Sequence, residues 1–355
     1  MKKVYFSNIF AFLFLISSTL FAQEHHTDST ATEASIEAKT GEEDAHGEAE
    51  AFNPGKMMME HIADEHDWHF ATVGHTHYSV PLPCIVWNKG GLTIFSSSRF
   101  KDEHHNEIAY EGLKLEEGKI VAEDGSFVLD LSITKNVASL LISVFLLLVI
   151  FFTIAKSYKE RVGKAPSGLQ SAFEPIIIFI RDEVAKTNIG EKHYKRFVPY
   201  LLTVFFFILF NNMLGLLPGS ANVTGNIAIT LVLATIAFFV ANLNGKSTYW
   251  GHIFAMPGVP KWLLILLTPV EIIGVFMKPI SLMIRLFANI TAGHLILLSL
   301  IALIFIFKSI GVAFIAVPFS VFMNLIELLV AFLQAYIFTV LTSTYIGAAV
   351  EEGHH

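Results

Sequence analysis

Two apolar runs near the C-terminus constrain this chain most. Residues 263–307 form a 45-residue, mostly apolar run and residues 311–348 a second of 38, separated only by Lys308, Ser309 and Ile310. A helix of 45 residues is about 68 Å long at its 1.5 Å rise, more than twice the ~30 Å hydrocarbon thickness of a bilayer. Three solutions exist: two spans per run, strongly kinked helices, or two long helices lying steeply tilted. Neither run contains a credible polar turn, which makes two spans each the weakest solution. Long tilted helices need protein on one side to shelter any polar face, so a partner is expected.

The remainder of the chain extends the membrane reading. With 53% hydrophobic and 15% charged residues, the composition is that of an integral membrane protein. Three further spans are predicted at 136–155, 197–218 and 226–242, each of the right length and apolarity. Between the first two, residues 156–197 are rich in Lys and Arg, and Phe173, Ile177, Ile180 and Val184 recur at helical spacing. That pattern predicts an amphipathic helix lying on the cytoplasmic membrane surface. The positive-inside rule places 156–197 and the loop 243–262, with Lys246 and Lys261, in the cytoplasm. The membrane domain as a whole is expected over 136–350, with its C-terminus cytoplasmic.

The N-terminal third is a different physical object. Residues 1–22 carry Lys2 and Lys3, an apolar stretch and a small residue at Ala22, the pattern of a secretory signal peptide. Residues 23–135 hold 22 acidic and 8 basic side chains, whereas the remainder of the chain has a net charge of +7. Within them 23–66 is Glu-, Ala- and His-rich with almost no large apolar residues, and is expected to be disordered. Residues 67–135 contain short β-prone runs broken by Asn-Lys-Gly-Gly and Glu-Asp-Gly turn signals, which predict a small β-rich module. Topology puts 23–135 outside the cytoplasm. Cys84 is the one cysteine, so no intramolecular disulfide can form. The fold class expected is an all-α polytopic membrane protein. It has about five transmembrane spans ending in two long tilted helices, a cytoplasmic-surface amphipathic helix and a β-rich extracytoplasmic extension.

Charges inside the long runs carry the chemistry. Glu271, Lys278 and Arg285 fall seven residues apart, with Ser281 and Asn289 four residues either side of Arg285, so all five share nearly one helical face. The second run has no Lys or Arg, and its polar stripe is Asn324, Glu327, Gln334, Thr342 and Tyr345. A charge at mid-bilayer costs about 2.5–3.5 kcal/mol on insertion scales. Snorkelling is a poor solution for Arg285, because long apolar stretches flank it on both sides. A static bridge to Glu271 would have to cross 14 residues, about 21 Å of helix. Against a static bridge to a carboxylate on a neighbouring helix, the functional reading is a fixed positive charge lining an ion pathway. If the two helices run antiparallel, Arg285 and Gln334 fall at similar depth. His294 and Glu327 then form a titratable pair on the outer side, and Glu271 lies on the cytoplasmic side.

The strings "KPISLMIRLFANITAGHLI" and "LLVAFLQAYIFTVLTSTYI" resemble the two signature helices of subunit a of the F-type ATP synthase, and "FNNMLGLLPG" fits that family's second span. The resemblance covers about 136–350. It implies a stator that faces a rotating c-ring, with peripheral-stalk b subunits, other ATP synthase subunits and membrane lipid as further partners, in a bacterial inner membrane. It makes Arg285 the essential arginine, with Gln334 opposite it, and His294 and Glu327 the interacting pair of the outer half-channel. The ring carries one carboxylate per subunit, which crosses lipid only when neutral. Arg285 then serves as its counter-charge, and because arginine does not deprotonate, it also insulates two offset proton paths from one another.

Two other readings compete. A secondary ion transporter predicts inverted repeats and matching broken helices, and the sequence has neither. A metal-responsive membrane protein would use the extracytoplasmic histidines, among them His61, His66 and His69 in "HIADEHDWH", whose bland reading is adventitious affinity. No Walker A, GxSxG or HExxH string is present, so no catalytic site, cofactor, resident metal or nucleic acid is expected.

Overall fold

The computed structural model describes residues 64–351, apart from 74–75, 90, 102–107, 117, 218–219 and 257. The expected signal peptide, and the acidic segment up to residue 63, lie outside the described residues, as do His25, His26, His46, His61, His75, His104 and His105.

The first part is β-structure. Strands β1 (Asp67–Val73) and β2 (Thr76–Pro81) pair as a hairpin; β3 (Pro83–Asn88), β4 (Gly91–Ser96) and β7 (Leu129–Asp130) form a sheet in the order β4-β3-β7; β5 (Leu113–Glu116) and β6 (Lys119–Ala122) form a second hairpin. The Asn-Lys-Gly-Gly signal is the β3–β4 turn: Asn88 pairs with Gly91, and Gly91 takes φ +113°, a conformation glycine adopts without a Cβ clash. Cys84 and Val86 face inward onto Phe100, Leu113 and Ile120, with Phe95 edge-on to Phe100 at 5.2 Å.

This module runs into the first membrane helix without a linker. Helix α1 (Lys135–Glu160) has Thr134 as its N-cap, and Asp64, 70 residues earlier, joins it there. The Asp64 carboxylate accepts from Thr134 Oγ1 at 2.9 Å and from the Asn136 amide at 3.0 Å, while the Lys135 amide donates to the Glu65 carbonyl at 2.9 Å. A carboxylate at a helix N-terminus satisfies amides that have no partner within the helix.

The rest is helical. Helix α2 (Leu169–Phe179) continues through a π-helical segment, Ile180–Lys186, and a last turn, Thr187–Ile189. Then come α3 (Tyr194–Gly215), α4 (Ile227–Leu243), α5 (Ser247–Phe254), α6 (Lys261–Phe307) and α7 (Ile310–Val350). Among the described residues four helices are long and apolar enough to cross a membrane, or five if α4 and α5, bent by 103° at their junction, count as one. The two apolar runs are single helices of 47 and 41 residues. Pro269 and Pro279 lie inside α6, and Pro318 inside α7, without breaking either. Lys308 ends α6 in the left-handed conformation, φ +46°, and its amide reaches back to the Ile304 carbonyl.

Two sequence expectations change. The loop expected over 243–262 contains helix α5, which the string STYWGHIF did not announce. The stripe of Phe173, Ile177, Ile180 and Val184 is present on α2 and its extension, but it packs into the bundle core with residues of α3 and α7. Helical periodicity reports that one face is apolar; it does not say whether lipid or protein covers that face. Gly347 of α7 completes this contact. A Cβ there would overlap the Asn188 carbonyl oxygen, so only glycine lets the α7 backbone approach the end of the α2 rod so closely.

Candidate functional site

Helices α6 and α7 pack together as an antiparallel pair, and two contacts set their register. Lys278 Nζ of α6 stands 5.3 Å from the Tyr345 ring centroid of α7, a cation–π distance. Fifteen residues further along α6, Gly293 lies against Glu327: a Cβ on that glycine would be 3.3 Å from Glu327 Oε1. Interpolating between these contacts at the helical rise puts Arg285 within about one turn of Gln334, and His294 within about one turn of Glu327.

The two helices differ in which way their polar groups turn. On α7, Glu327 and Gln334 are buried, at 6% and 4% exposure. On α6, Arg285 is half-buried, Ser281 and Asn289 are exposed, and the nearest polar partner of Arg285 is Ser281 Oγ, 3.3 Å from Nη2. Among the described residues no carboxylate lies within salt-bridge distance of Arg285. Its charge therefore has no counter-ion among them. Asn324, expected on the same stripe as Glu327, lies on the exposed side instead, whereas Thr342 is buried.

At the other end of the pair, Glu271 is half-buried and interacts electrostatically with Tyr249 of α5. A small cleft opens beside it between α4, α5, α6 and α7, lined by Phe238, Asn242, Tyr249, Lys278 and Tyr345. The start of α5 is tied to the end of α7 by the Lys246 amide, which donates to the Ala349 carbonyl at 2.9 Å. Glu271 and Glu327 thus lie on opposite sides of Arg285 along the helix pair.

Sequence reasoning missed several groups around Glu327. Asn212 of α3, fully enclosed, donates to the Ala331 carbonyl of α7 at 3.1 Å and accepts from Thr224 Oγ1 at 2.7 Å. It ties α3 and the chain leading into α4 to the turn of α7 that follows Glu327. The Asn-Asn pair within a span carried that signal, since a buried amide in an apolar helix needs a partner. Thr291 Oγ1 and Ser320 Oγ are buried without a protein partner. Thr291 is three residues before His294 and Ser320 seven before Glu327, so each shares a face with one member of the expected pair.

In the β-module, His66 is buried and its Nε2 lies 3.0 Å from Asp130 Oδ2. Burial pushes the Asp130 carboxyl up, but hydrogen bonds from His66 and Ser132 outweigh it and hold the group below the usual carboxylate range. His66, one of the histidines of "HIADEHDWH", is thus engaged in an internal hydrogen bond.

Comparison with known proteins locates these helices. The model of the family described as ATP synthase A chain matches residues 137–347, and a second model, described only as a domain of unknown function, matches 57–138. The chain is 39% identical to ATP synthase subunit a 2 of Prosthecochloris aestuarii, over 99% of this chain and 97% of that protein. It is 37% identical to ATP synthase subunit a 2 of Chlorobaculum tepidum, over 98% and 93%. With the corresponding protein of Chlorobium luteolum it shares 46% identity over 64% of this chain and 70% of the relative.

Proposed function

The chain belongs to the ATP synthase subunit a family, a multi-pass membrane subunit that translocates protons and has no catalytic site of its own, and from that premise we propose which residues do the work. Arg285 is the fixed charge. It meets an ionised carboxylate on each passing subunit of a c-ring, at the face of α6 that bears Ser281, Arg285 and Asn289. The observation that carries this reading is the lack of any counter-ion for Arg285 among the described residues. An arginine in an apolar helix needs an anion, and the exposed side of α6 is where a partner can present one.

Protons reach the ring from one side through His294 and Glu327, with the hydroxyls of Thr291 and Ser320 as relay groups, and leave on the other near Glu271. Gln334 stands opposite Arg285, at about the same depth on α7. The order along the helix pair is titratable group, permanent charge, titratable group. A proton cannot pass the middle position through the protein, because arginine holds its own; it must ride the ring. Residues 23–135 are extracytoplasmic in this arrangement, the C-terminus is cytoplasmic, and b subunits hold the chain against rotation.

Replacing Arg285 tests the reading. Arg285→Ala and Arg285→Gln should abolish proton-driven ATP synthesis and open a passive leak in reconstituted vesicles. Arg285→Lys should also fail, because an ammonium can lose its proton when desolvated and lacks the planar fork. Near-normal synthesis by the Arg285→Lys complex would overturn the insulator role.

A further inference from the structure

The sheet β4-β3-β7 carries apolar side chains on both faces. Its inner face supplies Cys84 and Val86 to the module core. On the outer face the cross-strand register sets Ile94, Ile85 and Leu131 in one row and Leu92, Trp87 and Leu129 in the next. Trp87 and Leu92 are each 58% exposed and Ile94 65%. Six neighbouring apolar side chains on three strands, with no polar one between them, do not belong in water. The described part of the module carries eight acidic and six basic side chains, none of them in these two rows, so the charge-free face is a local feature.

Its position says what covers it. The outer rows end at Pro83, whose carbonyl accepts from the Ile133 amide at 3.1 Å, and Ile133 stands two residues before α1. Leu131 is four residues from that helix, at most about 14 Å even for an extended chain. Asp64 and Glu65 bind the first turn of α1 from the other end of the module. The sheet is therefore clamped beside the point where the chain enters the bilayer, within reach of its interfacial layer.

We propose that the outer face of this sheet lies on the bilayer surface at the N-terminal end of α1, with Trp87, Leu92 and Ile94 inserted among lipid headgroups. Tryptophan is the residue most at home in that layer. With no charged side chain in either row, the face is fitted for apolar insertion rather than attraction to anionic lipid.

The test uses the full chain, in vesicles of phosphatidylcholine and phosphatidylglycerol. Cys84 is fully buried, so an environment-sensitive label attaches selectively at an introduced Leu92→Cys site. A Lys119→Cys site on β6, beyond the core from the patch, is the control. Lipids carrying a nitroxide near the headgroup should quench the first label at least about twice as strongly as the second. Aqueous iodide should quench them in the opposite order. Intrinsic fluorescence, compared between wild type and Trp87→Phe, gives the same readout without any label. Iodide quenching of the Leu92 site as strong as that of the Lys119 site would place the face in water and overturn the proposal. Shielding from both quenchers would place it against protein, and would overturn it equally. The measurement is repeated in the assembled complex, where loss of nitroxide quenching would mean that protein covers the face and would overturn the proposal.

Discussion

The Glu327 carboxylate rests against Gly293, so closely that a methyl group on the glycine would stand 3.3 Å from Oε1 and 3.4 Å from Cδ. This contact brings an acid on α7 to the residue that precedes His294 on α6. Space at one glycine thus decides where a titratable group can sit.

Gly293→Ala should displace the Glu327 side chain by a few tenths of an ångström and slow ATP-driven proton pumping severalfold. Gly293→Val should slow it further, because a branched side chain leaves the carboxylate nowhere to move. Neither change should cause a leak, since Arg285 is untouched. Pumping into reconstituted vesicles measures both, and wild-type rates for Gly293→Val would show that the close approach does not matter.

His294 and Glu327 should behave as one unit. Glu327→Gln and His294→Ala should each slow synthesis and pumping, and the double change should cost little more than the worse single one. Exchanging the two, His294→Glu with Glu327→His, should restore part of the flux. Additive losses with no recovery on exchange would assign the residues to separate sites.

Gly347→Ala forces a methyl group into the Asn188 carbonyl at the contact between α7 and the end of the α2 rod. Backbone, unlike a flexible side chain, cannot turn aside. The expected loss is about 1–3 kcal/mol, seen as a fall of several degrees in the unfolding temperature of the purified complex. Gly251→Ala, within α5 and where a methyl group meets nothing within 4 Å, should leave that temperature unchanged or raise it slightly.

Burial, and secondarily the nearby Asp130 carboxylate, pushes the Cys84 thiol up to about 12. At pH 8 only about one thiol in ten thousand would then be ionised, and the thiolate is the reactive form. Iodoacetamide should leave Cys84 unmodified between pH 7 and 9 in the folded protein and alkylate it once denaturant opens the module. Mass spectrometry would follow the transition, and rapid alkylation of the native protein would contradict the buried position.

The sequence alone determined what periodicity and unrelieved charge can determine. The lengths of α6 and α7 follow from apolar runs that hold no polar turn, and Lys308, between them, ends the first helix. Asn88 to Gly91 announced the β3–β4 turn through the demands of a tight hairpin. Arg285 stood out because nothing nearby in sequence could neutralise it, and spacing alone put Ser281 and Asn289 on its face. The tertiary structure decided everything that depends on which surface meets which. Hydrophobic periodicity on α2 did not say that protein would cover it. The spacing of Asn324 from Glu327 did not reveal that one would be exposed and the other buried. Asp64 caps a helix 70 residues away, and Asn212 holds α7 by a backbone carbonyl of Ala331; local sequence names the partner of neither. Local pattern fixes which face of an element is apolar or charged, because that depends only on residue spacing. The partner for that face is chosen by packing between distant segments, where one glycine without a Cβ, at 293 or 347, settles how near two helices can come.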